Sequence, residues 1–572
     1  MSGNICSSNV TAGFIDLATF DEIEKYLYGG KYATSYFVRE TKKSTWFTQV
    51  PVVLTRASGQ CGWGQEWSVN ISRAGDYLTD TWLAVEIGDV SVAKAEDGIS
   101  LALLKWTPNL LHNLVAECCV TFNDLVAARF DSFHLDFWSA FTVPAEKAGI
   151  YNTMIGNSGP VQLPANMVVG STLYGGRFYL PLPFFFSRDS GVALPTAALP
   201  YNEMRINFSF RDWSDLITRF NIKTFSSSSL GTTECVAATA TDFLNGKGPQ
   251  LRSAQVWANY AIVSNDERKR MACAPRDILI EQVQTSPYST FKTTNIDTNN
   301  VFDIRFAHSI KALFFAVRNE SCPTFWSNYT TRSPFIAFPL GTGDEEIPAY
   351  ATVCDAAKLN SYNATAPVNI PCNVPHGMLD PMGFVSLSYE GTNRLSQMSN
   401  DYFSSVQPFY HAPTIPMAEN SCGQGVGNGI ANASVTSQSY VVTPQLTSSN
   451  GPRQQMATSA LAKNVGAEAV LTTGNGCASV GYHMYSYSLD FICLDPMGST
   501  NFGKLTNVTL TSTPSDDAVS MGNVASGLYT GDPAVAERLP VYSSAQKYAF
   551  VLTAVNNNIV RISGGALGFP VL

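Results

Sequence analysis

The chain has 572 residues and a formal net charge of −9; 45% of its residues are hydrophobic, 12% aromatic and only 14% charged. Typical soluble domains are about 25% charged, so this chain has apolar mass for large cores and for extensive contact with other protein. A nucleic-acid binder needs clustered Lys and Arg, whereas the densest basic stretch here, DERKRM at 266–271, opens with Asp266 and Glu267 as a solvated helix start does.

No run approaches the ~18–20 apolar residues of a membrane span. The opening MSGNICSSNV lacks the basic-then-apolar layout of a secretory signal and has no Gly at position 2 for myristoylation. The expectation is a chain made in a reducing cytosol. Its twelve cysteines contain no CxxC pair, so a structural metal site is not expected and buried free thiols are. Cys322, Cys354, Cys372, Cys422 and Cys477 fall in loop-like stretches that would allow pairing under oxidation. Eight Asn-x-Ser/Thr sequons occur, at Asn9, Asn70, Asn207, Asn319, Asn328, Asn363, Asn432 and Asn507. Without a signal they read as chance matches, and Asn70 and Asn207 sit in strand patterns.

Residues 1–30 read as an arm with one short helix. Thr19, three before Glu22, suggests a capping box; Phe20, Ile23 and Leu27 share a face and Gly29 supplies a stop. So short a helix is marginal alone and has to dock. Strand patterns follow at 45–54, 65–72 and 79–87. CVTFNDLVAARF (119–130) has a hairpin signal at Asn123-Asp124, and FHLDFWSAF (133–141) breaks in with helical spacing of Phe133, Phe137 and Phe141. Met204, Ile206, Phe208 and Phe210 alternate as in a half-buried strand. The stretch 224–250 is small, polar and aperiodic, a linker or inserted loop. Strand patterns resume at 276–284, 302–319, 382–391, 481–495, 504–512 and 547–563, separated by Gly-, Ser-, Asn- and Pro-rich stretches at 322–381 and 412–478. Short strands divided by turns argue a sandwich or barrel. The reading is therefore two β domains, 31–223 and 251–572, the second carrying long loops.

Catalytic candidates are thin. The six histidines (112, 134, 308, 376, 411 and 483) lie far apart, so the His-x-His cluster of metal-holding jelly-roll enzymes is missing. CGQGVGNGIANAS (422–434) lacks the Lys-Ser/Thr of a phosphate loop and reads as flexible. Asp76 with Asp80, and Glu345 with Glu346, read as solvated turns. No catalytic residue, metal site or cofactor is expected.

FIDLATFDEIEKYLYGG, YFVRETKKSTWFTQVP, GQEWSVNISRAGDYL, LPLPFFFSRDSGVALP, KALFFAVRN, YFSSVQPFYHAPTIP, LDPMGSTNFGKLTNV and NNNIVRISGGALGF resemble the major capsid proteins of large icosahedral double-stranded DNA viruses, in the iridovirus, ascovirus and marseillevirus group. The blocks run from residue 14 to the C-terminus. The stretches 224–250, 322–381 and 412–478 look longer than compact members of the group need.

The resemblance implies an all-β double jelly roll, two eight-stranded antiparallel sandwiches side by side, with a short N-terminal helical arm and long loop insertions. It implies a homotrimer that forms a pseudo-hexameric capsomer and tiles an icosahedral shell, assembled in host cytoplasm. Neighbouring capsomers and minor capsid, cement and penton proteins would be its partners; an internal membrane would be reached only indirectly, and nucleic acid not directly. The arm residues Phe20, Ile23 and Leu27 would dock on the shell's inner side or plug the base of their own trimer. The long loops would point outward or cover neighbouring edges. Phe184, Phe185 and Phe186 would end a strand over 178–186, one side on their own core and the other on the second barrel or another subunit; the other reading is a patch inside one domain. Pro181 and Pro183 favour an edge position there. The rival function is an oligomeric jelly-roll glycan-binding or host-attachment protein, for which no DxDxDG-like calcium loop appears.

Overall fold

The computed structural model of the chain describes residues 5–39, 41–94, 99–162, 165–167, 170–223, 232–331, 380–414, 481–523, 541–542 and 545–568. Its contacts divide it into two units, Met1–Trp46 and Phe47–Leu572. The first holds two helices, Ile5–Ala18 and Glu22–Leu27. The Ser, Asn, Thr and Gly residues of the first are poor helix formers and hide it from a propensity reading. The second is capped by Asp21, whose carboxylate accepts from the Glu22 N–H at 2.8 Å. Thr19 instead donates its hydroxyl to the Asp16 carbonyl at 2.6 Å, closing the preceding helix, so the expected capping box does not form. Strands begin only at Phe47, so the arm extends past residue 30.

Sixteen principal strands follow. In the first half they are β1 (Phe47–Val53), β2 (Glu66–Asn70), β3 (Tyr77–Ile87), β4 (Val115–Phe122), β5 (Leu125–Asp131), β6 (Gly176–Pro181), β7 (Met204–Phe210) and β8 (Leu251–Val263). In the second they are β9 (Arg276–Thr285), β10 (Asn300–Asp303), β11 (Ser309–Asn319), β12 (Met382–Tyr389), β13 (Thr392–Ser399), β14 (His483–Ser486), β15 (Val508–Pro514) and β16 (Tyr548–Ser563). The first half pairs as β1-β8-β3-β6 and β2-β7-β4-β5; the second pairs as β9-β16-β11-β14 and β10-β15-β12-β13. Adding eight to each label converts one half into the other. Every neighbouring pair is antiparallel. This wrapping is a jelly roll, and the chain holds two.

Three expected boundaries shift. Leu251–Val263, placed at the start of the second domain, is hydrogen-bonded between β1 and β3 and completes the first sandwich. The stretch 224–250 contains a strand, Thr232–Ala237, paired with Ile217–Lys223; residues 224–231 lie outside the described residues. The run 302–319 breaks at His308 (φ 63°) into β10 and β11, which belong to opposite sheets.

The hairpins β4–β5 and β12–β13 turn on Asn123-Asp124 (φ 49° and 67°) and Glu390-Gly391 (φ 50° and 79°), the two-residue left-handed turns that match strand twist. With the short links 71–76 and 304–308, these turns mark one end of each sandwich. At the other end of the first sandwich, its connections build a five-stranded sheet of their own. Its order is Val541–Tyr542, Thr232–Ala237, Ile217–Lys223, Ile99–Trp106 and Ala165–Asn166. Its first strand comes from the β15–β16 connection of the second half and joins in parallel.

Strand alternation sets the cores. Met204, Ile206, Phe208 and Phe210 point inward and their neighbours outward. Strand β11 and the first nine residues of β16 instead are buried almost throughout, which means that something covers the outer face of that sheet.

A Cβ added at Gly391 would meet nothing within 4 Å, but its φ is +79°, so a side chain there costs backbone strain alone. Gly391→Val should lower unfolding stability by about 1–2 kcal/mol while Gly391→Asn costs less; denaturant melts of the two variants check this.

Candidate assembly interface

All three phenylalanines of 184–186 are buried within the single chain, at 1%, 4% and 0% exposure. They do not extend a strand. β6, an edge strand, ends at Pro181, and Phe185–Ser187 is a 3-10 turn. Phe184 packs on Phe130 of β5 at 5.1 Å and on Phe186 at 5.5 Å between ring centres. The turn and the one after it, Ser190–Val192, touch β9 of the second sandwich. The apolar cluster containing them also takes in Ile278 and Ile280 of β9 and Val560 and Ile562 of β16. One side of the segment is covered by its own sandwich and the other by its neighbour in the same chain.

The second joint is the helix Ser132–Thr142, which follows β5 directly and is capped by Asp131, whose carboxylate accepts from His134 N–H at 2.9 Å. Leu135 turns into the first core. Phe137 and Phe141 lie against Ala312, Phe314 and Ala316 of β11, Met484 of β14 and Val551 and Val555 of β16. This is what covers the outer face of the β9-β16-β11-β14 sheet. The sequence spacing that identified the helix therefore marked the clamp between the two halves.

Polar groups lock the same junction. Asp136, fully buried, accepts from Asn109 (2.9 Å), Ser327 (2.7 Å) and Tyr329 (2.8 Å), and pairs with His112 Nδ1 at 2.7 Å. His112 Nε2 meets the Tyr151 hydroxyl at 2.8 Å. The pair has the spacing of an acid–base dyad, yet both side chains have 0% exposure and every polar atom is engaged, so it joins segments rather than meeting a substrate. Nearby, Arg188 pairs with Glu281 of β9, which also binds Lys311 Nζ of β11 at 3.1 Å. Arg188 and Lys311 each donate to a backbone carbonyl, Ile492 and Cys493, both at 2.7 Å. The Trp326 indole lies between the guanidinium groups of Arg211 and Arg318, 4.0 Å from each, a cation–π stack across the halves.

The remaining singled-out residues lie elsewhere. Phe20, Ile23 and Leu27 are exposed on the arm, at 50%, 70% and 63%. Cys322 is buried with a free thiol; Cys354, Cys372, Cys422 and Cys477 lie outside the described residues, as do Glu345 and Glu346, the sequons at Asn363 and Asn432, and the loop 422–434. Sequon Asn319 is buried and bonded to Gln546 at 2.9 Å. Asp76 is no solvated turn residue: it pairs with Arg268 at 2.7 Å, and the hydrogen bonds from that guanidinium hold its carboxyl below the usual range. Of the expected loops, 332–379 and 415–478 lie outside the described residues. Among the described residues no group of three or more His, Cys, Asp or Glu could hold a metal. Asp136, His112, Arg188, Glu281 and Lys311 were missed, because nothing local marks a polar residue whose partners lie far along the chain.

Two measurements probe the junction. Glu281→Ala leaves Lys311 buried without its carboxylate and should cost about 3–5 kcal/mol of stability, read as a fall in melting temperature well beyond that of Arg177→Ala at the exposed Arg177–Glu86 pair. His134 is buried, and desolvation, helped by the Arg188 charge, lowers its imidazole from 6.5 to about 3. The unfolded chain therefore binds a proton below pH 6.5 that the folded chain refuses, and stability falls with pH through that window, by about 2 kcal/mol at pH 5. His134→Phe should flatten the drop in melting temperature between pH 7 and pH 5.

Comparison with known proteins agrees with this architecture. Residues 35–263 match the family described as major capsid protein N-terminus, and residues 267–422 and 470–568 match the large eukaryotic DNA virus major capsid protein; the join falls just after β8. The chain is 48% identical over 572 residues to the major capsid protein of Costelytra zealandica iridescent virus, covering 100% of both chains. It is 46% identical to that of Invertebrate iridescent virus 6 and 33% to that of Frog virus 3, again over 100% of each chain. Among solved structures, PBCV-1 VP54, fitted into a reconstruction of the virophage Sputnik, matches with a TM-score of 0.60 at 19% identity, over 94% of this chain and 100% of that one. The Faustovirus major capsid protein matches at 0.56 and 10% identity, over 93% of each chain. The solved structures share the double jelly roll, the iridovirus relatives share the sequence from end to end, and the chain belongs to the major capsid protein family of the large eukaryotic DNA viruses, the proteins that build the virion capsid.

Proposed function

We propose that the chain trimerises into a pseudo-hexameric capsomer, that capsomers tile an icosahedral shell, and that shape and interface chemistry do this without any bond-making. The observation that carries the reading is the repeat: two sandwiches of identical strand order, joined through a buried helix and buried charges. Three such chains around a threefold axis supply six similar barrels, nearly hexagonal in outline, and hexagons tile a surface.

The end of the second sandwich from which the β11–β12 and β13–β14 connections leave is the one that faces outward in this reading. Asp380, just after the first insertion, pairs with His483, just after the second, with both side chains buried, so the two insertions return to one place. The exposed Phe20, Ile23 and Leu27 of the arm meet minor capsid or cement proteins beneath the shell, with penton proteins filling the vertices. Assembly takes place in host cytoplasm, which suits the free thiols of Cys118 and Cys322.

Mass measurement of the purified protein is the direct test: a stable trimer that forms flat hexagonal arrays is expected, and a monomer with glycan affinity would overturn the reading in favour of an attachment protein. Deleting residues 1–30 should leave trimers that melt normally yet fail to form closed shells with the minor proteins; trimers that fall apart would assign the arm to the trimer base.

A further inference from the structure

We propose that Lys311 and Asn557 condense within one chain into an isopeptide bond, with Glu281 moving the protons. The bond is internal to the chain, so it goes beyond the capsomer reading and leaves the chemistry of tiling unchanged.

Three neighbouring strands supply the parts. In the order β9-β16-β11, Glu281 of β9 lies directly opposite Asn557 of β16, and Asn557 directly opposite Ser309 of β11. Directly paired residues of antiparallel strands share a face, so the Glu281 and Asn557 side chains leave the sheet on the same side. Lys311 sits at an irregularity between Ile310 and Ala312, where β11 has one residue more than β16. Ile310 packs in the core of the second sandwich and Ala312 under the helix Ser132–Thr142. From there Lys311 Nζ reaches Glu281 Oε1 at 3.1 Å. Because β16 separates β11 from β9, the lysine side chain crosses β16 toward the row that Asn557 occupies. The sheet itself therefore brings the amine and the carboxamide together.

Charge and hydrogen bonding here are unbalanced in the way this reaction settles. The Lys311 and Glu281 side chains are 1% and 5% exposed. Glu281 also pairs with Arg188, 12% exposed. Two cations thus share one buried carboxylate; Asp490, the next acid to act on Arg188, is exposed. A surplus charge in a dry place is costly. The Asn557 side-chain oxygen is buried and has no hydrogen-bond partner among the described residues, while the residue as a whole is half-buried. A desolvated lysine beside a second cation is the setting in which an amine becomes a nucleophile, and an amide fixed in place beside it removes the cost of a collision.

The step balances. Glu281 takes one proton from the Lys311 ammonium, and the freed Nζ lone pair adds to Asn557 Cγ. Glu281 then gives that proton to the carboxamide nitrogen and takes the next from Nζ. The Cγ–Nδ2 bond breaks, the Nζ–Cγ bond stays, and ammonia carries the last proton away as ammonium. Arg188 and Glu281 are left as a one-to-one pair. The bond ties β11 to β16 around the part of the chain that contains 322–381 and 412–478, so a pull on either insertion cannot peel the two strands apart.

The test is the mass of the full-length wild-type protein after denaturation. It is expected to be lighter than the sequence mass by one ammonia, and tandem mass spectrometry of a tryptic digest should show one branched peptide joining the segments around Lys311 and Asn557. Lys311→Met and Asn557→Ala should each restore the full mass of their own sequences. Asn557→Asp should lose one water in place of ammonia, which assigns the deficit to residue 557. A wild-type chain at full sequence mass overturns the proposal, as does an ammonia deficit that maps to a succinimide with no branched peptide.

Discussion

The structure depends on one apolar insertion: the helix Ser132–Thr142 of the first half pressed onto the outer face of a sheet in the second. Phe137 and Phe141 are both at 0% exposure, and burying a phenylalanine is worth roughly 1.5–3 kcal/mol relative to leaving it in water. The same contact keeps Phe314, Met484, Val551 and Val555 dry. It explains why β11 and the first part of β16 lack the alternation that β3, β7 and β15 show. Two sandwiches so joined have no freedom to turn against each other without exposing that surface.

Buried polar groups then select one orientation among those the apolar contact would allow. Asp136 gathers donors from segments as far apart as Asn109 and Tyr329, and Glu281 answers both Arg188 and Lys311. A slip along the junction would strand a charge in a dry place, where it costs several kcal/mol. For a protein whose task is to occupy space in a shell, a defined angle between its two barrels is the functional property, and these groups hold it.

The two ends of each sandwich have different characters for a topological reason. Links such as 71–76, 304–308 and the two-residue turns at Asn123 and Glu390 leave no room for elaboration at one end. The other end carries the connections that can lengthen, and in the first half those connections have enough strand character to form a sheet of their own. Insertions collected there leave the flanks free for side-to-side contact.

Much of this was legible along the chain. Low charge, the alternation at 204–210, the Asn-Asp hairpin and the i, i+4 spacing of Phe133, Phe137 and Phe141 are local patterns, and blocks along the chain carried the family resemblance. The sequence alone thus determined strands, turns, short helices and the class of protein, since each follows from local stretches of the chain. Which sandwich Leu251–Val263 joins, that Phe185 and Phe186 sit in a 3-10 turn against β9 with Phe184 just before it, and that Asp136 and Glu281 each gather buried partners were decided only by the tertiary structure. Those facts depend on pairings between residues from tens to some two hundred positions apart, and no local period encodes which distant surface a buried face will meet.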